Sequence, residues 1–356
     1  MTIMDPNKLK HYQSLDKPAF EYADERINQF FAHAADSGYN LDTTGFLPHP
    51  GFYQAPYKPQ TDKADIVLLG SPLDLGAIGL AGTRHGPQAV RNATRNFGPQ
   101  HDVSGLVPFM ACNIIDAGDV QWSETNLQTR LEDIYTTVKA LSASGASVLN
   151  CGGEHTTAFG TLKGLSESHN NEAFGLIHID AHCDTMSTWG GDAVNDGSVF
   201  RQAVLNGFID PEQSIQIGIR GRANFLWEFS HDTGMTVITA DQVHDKGTQW
   251  VLDCINEKIN KQQKTYFSLD VDGLDSQYMM ATTGPEAFGL TPRQARAIIH
   301  GCYNMNIIGA DIVEFNPNRD SDGKGALTTA ALHWELLNLL TQARIANEAA
   351  SGPTNW

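Results

Sequence analysis

The stretch Phe174-Gly175-Leu176-Ile177-His178-Ile179-Asp180-Ala181-His182-Cys183-Asp184 opens as an apolar run of strand character and closes on metal-capable side chains at every second position. Residues two apart share one face of an extended segment. Asp180, His182 and Asp184 therefore converge on one point if the extended geometry persists past the strand end. A second element of this kind, Ser268-Leu269-Asp270-Val271-Asp272, stands far downstream after another apolar run. Asp and His at strand ends also cap helices or bond loop backbone, but the second carboxylate pair weighs against that simpler role. Four carboxylates and an imidazole at two strand ends can bind more charge than one divalent ion carries, which points to a two-metal hydrolytic site.

Outward from this stretch, short buried-strand runs alternate with helical patterns from Ala64 onward. The predicted strands are Asp65–Gly70, Asn113–Asp116, Ser147–Cys151, Gly175–Asp180, Ser214–Ile219, Thr236–Thr239, Thr265–Asp270 and Ile307–Val313. The predicted helices are Gly86–Asn96, Glu124–Ser144, Thr156–Ser166, Thr248–Lys261, Thr291–Tyr303 and Gly325–Ala346. Continuous apolar strands separated by helices imply an α/β fold with a mostly parallel sheet covered on both faces. Ligands bind beyond the carboxyl ends of such strands, and every acidic cluster noted here falls at such an end. Residues 1–62 read as an N-terminal extension and 63–356 as the catalytic domain. Within the extension, Pro18 to Ala35 has helical spacing of Phe20, Ala23, Ile27, Phe30 and Phe31. A proline-bearing aromatic segment follows (Phe46, Pro48, Pro50, Phe52, Tyr53, Pro56, Pro59), expected to cover the body or a neighbouring subunit.

The formal net charge of -17, from 24 basic and 41 acidic residues, argues against a nucleic-acid partner and favours a cationic ligand. No apolar run approaches the ~18 residues that span a bilayer, and Met1 to Lys10 lacks the pattern of a secretory signal. A cytoplasmic protein is the expectation. Cys112, Cys151, Cys183, Cys254 and Cys302 show no metal or disulfide spacing. Cys183 points away from the metal face and is expected to pack.

Two further strand ends complete the pattern. Cys151-Gly152-Gly153-Glu154-His155 places paired glycines before a His, so the backbone can turn sharply and bring His155 inward. Asp311-Ile312-Val313-Glu314-Phe315-Asn316-Pro317 closes the set. In this order, a Gly-Gly-acid-His turn, an Asp-Ala-His-x-Asp end, a Ser-x-Asp-x-Asp end and a late Glu followed by x-x-Pro resemble the ureohydrolase superfamily of arginase and agmatinase. The resemblance runs from about Ala64 to Ala346. Ser71-Pro72-Leu73-Asp74 and Gly82-Thr83-Arg84-His85-Gly86-Pro87 are similar to the family's early loop and helix start.

That resemblance implies a three-layer α/β/α fold with an eight-stranded sheet and two divalent metal ions. His155, Asp180, Asp184 and Asp270 would hold one ion. His182, Asp180, Asp270 and Asp272 would hold the other. Manganese is the family's usual metal, and an imidazole–carboxylate set also accepts Ni²⁺. A guanidinium carbon is a poor electrophile, and two metals lower the pKa of water from about 15.7 towards ~7. Asp184 would orient the nucleophile and take its proton, and Glu314 would pair with the guanidinium.

Two departures bear on the substrate. In Asn195-Asp196-Gly197-Ser198, Asp196 stands where the family usually carries a proton-shuttling His, and Asp is the weaker donor near neutral pH. After Asp275, the family's Pro and Ala-Pro-Gly give way to Ser276-Gln277-Tyr278-Met279-Met280-Ala281-Thr282-Thr283, a more apolar loop. The Thr185–Asn195 loop carries Trp189 and Asp192 but no Lys or Arg to meet a substrate carboxylate. The expected substrate is thus a compact cationic guanidine, alkylguanidine or biguanide such as metformin, cleaved to urea and an amine. Asp196, Trp189, Met279 and Met280 would line its site, with Trp189 stacking on the cation. The alternatives are agmatinase or guanidinobutyrase, formiminoglutamase, and a paralogous supporting subunit of a mixed assembly. A homo-oligomer, commonly a trimer or hexamer, or a hetero-oligomer with such a subunit is expected from the resemblance.

Overall fold

The computed structural model describes residues 4–15, 22, 24–37, 51–59, 63–188, 191, 193–221 and 224–351. Trp189, Asp192, Pro18, Phe20, Ala23, Phe46, Pro48 and Pro50 lie outside the described residues. Among the described residues there are eight strands: β1 (Ile66–Ser71), β2 (Ile114–Asp119), β3 (Ser147–Gly152), β4 (Phe174–Ile179), β5 (Ile209–Ile219), β6 (Thr236–Thr239), β7 (Thr265–Asp270) and β8 (Ile307–Val313). They form one sheet in the order β2-β1-β3-β8-β7-β4-β5-β6. Every pairing in it is parallel, so the sheet is wholly rather than mostly parallel.

The helices before the sheet's midpoint are α1 (Pro6–Leu15), α2 (Glu25–Ser37), α3 (Gly86–Ala93), α4 (Pro108–Ala111), α5 (Leu127–Ser142) and α6 (Thr157–Ser168). Those after it are α7 (Val199–Leu205), α8 (Glu228–Thr233), α9 (Ala240–Lys258), α10 (Pro292–Gly301) and α11 (Lys324–Ser351). The predicted helix from Pro18 is displaced: α2 starts at Glu25, and α1 lies entirely upstream with no buried residue. Helix α9 begins eight positions before the predicted Thr248 because Gly247, at φ 82°, kinks the chain instead of ending the helix. Short helices α4, α7 and α8 offer too few turns for a periodic signal.

Each central strand is buried on both faces, and its side chains alternate between two cores. Ile66, Leu68, Ile177, Ile179, Phe267 and Leu269 meet α9, α10 and α11. Val67, Leu69, Leu176 and Tyr266 meet α5, α6 and α7. Ile27, Phe30, Ala34, Phe52 and Tyr53 from the N-terminal residues are buried in the first of these cores. The strand order sets β3, β8, β7 and β4 side by side in the middle of the sheet. Their carboxyl ends carry the residues singled out above.

Candidate metal centre and substrate cavity

The expected ligands lie in two adjoining sets. In the first, His155 Nδ1 stands 2.8 Å from Asp184 Oδ2 and 3.4 Å from both Asp180 Oδ2 and Asp270 Oδ2. In the second, His182 Nδ1 stands 3.4 Å from Asp180 Oδ1 and 3.3 Å from Asp272 Oδ2. Asp180 thus joins the two sets, one oxygen facing each. Convergence does not come from continued strand alternation. Strand β4 stops at Ile179, and Asp184 reaches the point with a left-handed backbone, φ 51°. Asp272 arrives on the 3-10 turn Val271–Gly273, whose start is fixed by Asp270 accepting the Asp272 N–H at 2.7 Å. His155 depends on Gly153, where a Cβ would fall 1.8 Å from the Leu73 carbonyl oxygen.

Electrostatics favour a cation here. His155 Nε2 lies 2.9 Å from Ser268 Oγ, and Ser268 donates to Asp311 Oδ1 at 2.6 Å. The Ser268 proton is therefore committed, Nε2–H must be the donor, and a neutral His155 turns its Nδ1 lone pair on three carboxylates. Nδ1 is buried and has no hydrogen-bond partner. Burial disfavours the imidazolium, yet Asp180, Asp184 and Asp270 together hold the His155 pKa well above its ordinary value. Burial and the Asp180 charge push Asp184 up to about 7. Burial, with Asp272 and Asp180 adding repulsion, pushes Asp270 well up too. This cluster cannot ionise fully without added positive charge, and its imidazole and carboxylate donors fit two divalent ions.

A cavity of about 350 Å³ opens above the two sets. Its lining includes Asp196, Glu286, Glu314, Ile78, Met186, Leu226 and Trp227, together with His182, Asp184, Asp270 and Asp272. Glu314 accepts the His155 backbone N–H through Oε1 at 2.7 Å and keeps Oε2 buried without a partner. Asp196 accepts from the backbone N–H of Ile78 at 2.9 Å and of Gly197 at 2.8 Å. Burial raises its carboxyl. Glu154 is buried behind this wall, and burial reinforced by Asp196 pushes it up to about 7. Asp74 accepts the Gly82 N–H and pairs with Arg84, closing the loop that supplies Ile78.

The apolar loop after Asp275 does not serve as expected. Met279 is fully buried in the core and Met280 is 55% exposed, and neither lines the cavity. The segment instead contributes Thr283, Gly284 and Glu286. Trp189 lies outside the described residues, and Trp227 supplies an aromatic wall. Sequence reading missed Trp227, Glu286, Ile78 and Met186, which come from separate loops without a shared motif. Cys183 is buried, and burial raises its thiol.

A three-layer parallel sandwich with paired Asp/His sets at its carboxyl edge, beneath an acid-lined cavity, defines a binuclear metallohydrolase. The chain belongs to the arginase family, whose family model matches residues 64–338. It is a guanidino hydrolase, an enzyme acting on C–N bonds of linear amidines, and its paired His/Asp sets suit two divalent metal ions. It is similar to the mitochondrial agmatinase of Gallus gallus, at 34% identity over 80% of this chain and 84% of that one. It is similar as well to the mitochondrial guanidino acid hydrolase of Homo sapiens, at 33% identity over 79% and 80%. Among solved structures, the proclavaminate amidino hydrolase of Streptomyces clavuligerus superposes with a TM-score of 0.80 at 28% identity, covering 84% of this chain and 99% of that one. Among the described residues, no helix is long and apolar enough to cross a membrane.

Proposed function

We propose that the chain hydrolyses a cationic guanidine without a carboxylate, releasing urea and an amine. The cavity lining carries this reading: it offers Glu314, Glu286 and Asp196 among apolar walls, with no Lys or Arg among its described residues. A guanidino acid needs a cationic or donor-rich partner for its carboxylate. Arg220, the neighbouring arginine, donates to the carbonyls of Asp272, Leu274, Glu286 and Ala287 instead.

His155, Asp180, His182, Asp184, Asp270 and Asp272 would hold two divalent ions, which would supply Lewis acidity and water of lowered pKa. The chain's own residues do the rest. The unpartnered Oε2 of Glu314 binds the planar guanidinium and orients its carbon. Asp184 receives the proton of the attacking water. Asp196, held by two backbone N–H groups, faces the leaving amine as the group that returns a proton. Ile78, Met186, Leu226 and Trp227 exclude water and accept N-alkyl groups, as in methylguanidines or the biguanide metformin. Agmatine is the second reading: the similarity to an agmatinase favours it, and Glu286 suits its second cation. The resemblance supports assembly as a trimer or hexamer.

Urea release from guanidine, N-methylguanidine, metformin, agmatine, arginine and 4-guanidinobutyrate tests the reading. Turnover confined to the carboxylate-free compounds is expected. Preference for guanidinobutyrate or arginine would overturn it.

A further inference from the structure

One pleat below the ligands, five strands carry polar residues in register. Gln216 on β5 pairs laterally with His178 on β4, His178 with Ser268 on β7, Ser268 with Asp311 on β8, and Asp311 with Asn150 on β3. All five are fully buried. Residues two apart share a face, so His178 lies directly beneath Asp180.

The hydrogen bonds define how His178 acts. Gln216 Nε2 lies 2.6 Å from the Cys183 carbonyl oxygen, which can only accept, so this atom is the amide nitrogen. Its other proton goes to His178 Nδ1 at 3.1 Å. The His178 proton must then sit on Nε2, which donates to Asp180 Oδ2 at 2.8 Å. Phe200 packs 4.4 Å from the ring and fixes its plane. Asp180 Oδ1 is held from the other side by the His182 backbone N–H. Both ring nitrogens of His178 are thus engaged, although the residue stands within ligand distance of His155, Asp180 and Asp184.

We propose that His178 and Gln216 are positioning residues: the chain Cys183 C=O, Gln216 amide, His178 imidazole, Asp180 carboxylate orients the shared carboxylate, and His178 is not itself a metal ligand. This rests on the reading that Asp180 holds both ions. Outer groups of this kind orient ligands, and their loss commonly costs about 10–100-fold in metal affinity.

The test is metal binding by the full chain, not turnover. Mn²⁺ affinity would be measured by calorimetry, and stoichiometry at saturation by elemental analysis, for wild type, His178→Leu, His178→Gln and Gln216→Leu. His178→Gln can place an amide N–H where Nε2 stands. The expected result is two ions per chain at saturation in every variant. Affinity should fall about 10–100-fold in His178→Leu, less in Gln216→Leu, and recover in His178→Gln. Unchanged affinity in both Leu variants overturns the proposal. A fall to one ion per chain in His178→Leu overturns it as well, by making His178 a ligand. If His178→Leu does not fold, His178→Gln and Gln216→Leu decide it by the same criteria. A wild-type chain that binds no metal sinks the two-metal reading itself, a result distinct from either.

Discussion

Among the described site residues, Asp184 and Glu314 are held at positive φ without being glycine, at 51° and 68°. Such backbone costs of order 1–3 kcal/mol and survives where surrounding structure over-determines it. At Glu314 the reason is visible: Oε1 is tied to the His155 N–H, so Oε2 alone faces the cavity. Glu314→Gln keeps the shape and removes the charge. Urea-release kinetics should show kcat/KM falling about 10²–10³-fold, or roughly 3–4 kcal/mol, with metal content unchanged by elemental analysis. A loss of metal in that variant would show that Glu314 serves the ions instead. Met279 illustrates the opposite case. Buried in the core and outside the cavity, it should act on stability alone. Met279→Ala should cost about 2–5 kcal/mol in chemical denaturation and leave KM of the folded enzyme as in wild type. Period-two spacing and residue chemistry singled out Asp180, His182, Asp184, Asp270 and Asp272 in the sequence, and the paired glycines before it singled out His155. A methionine in an apolar loop carries no mark of which way it points.

Among the elements, the N-terminal turn Phe52–Gln54 and helix α11 share a junction built on a buried histidine. The His333 ring on α11 stacks on Phe52 at 4.8 Å, and its Nδ1 lies 2.6 Å from Tyr53 Oη. Burial, with Arg91 adding to it, lowers its pKa to about 3. Folded His333 therefore stays neutral while the unfolded residue takes a proton below about pH 6.5. Between those two values the unfolded state binds more protons, so stability rises with pH and is lost as pH falls from about 6.5 towards 3. The contribution is about 2 kcal/mol by pH 5. Denaturant melts of His333→Leu should show a shallower loss from pH 7 to pH 5 than wild type. An unchanged slope would refute the assignment. The eight strands were legible as elements because each carries a short apolar run, although β5 starts at Ile209, ahead of the predicted Ser214, and β2 runs on to Asp119, past the predicted Asp116, where polar residues interrupt the pattern. Helix α1 was not, since none of its side chains is buried and it has no apolar stripe to read.

At the scale of the whole molecule, carboxylates from β4 and β7 are crowded at the centre of a chain whose net charge is already -17. Bound cations relieve that repulsion in the folded state, because the unfolded chain does not assemble the site. Each ion present at 100 times its Kd contributes about 2.7 kcal/mol. Chelation should lower Tm by several degrees, and added Mn²⁺ should restore it in a concentration-dependent way, as calorimetry can follow. A Tm indifferent to both would mean that no such centre forms. The sequence by itself determined the parallel α/β class and marked the Asp, His and Glu residues that stand at the strand ends. Apolar periodicity, turn glycines and donor chemistry are properties of neighbouring residues and need no partner to be read. The tertiary structure alone decided the β2-β1-β3-β8-β7-β4-β5-β6 order that brings distant strand ends together. It also decided which loops wall the cavity, which methionine is buried, and which nitrogen of His178 carries its proton. Those outcomes depend on packing and hydrogen bonding between segments far apart in the chain, where no local pattern records them.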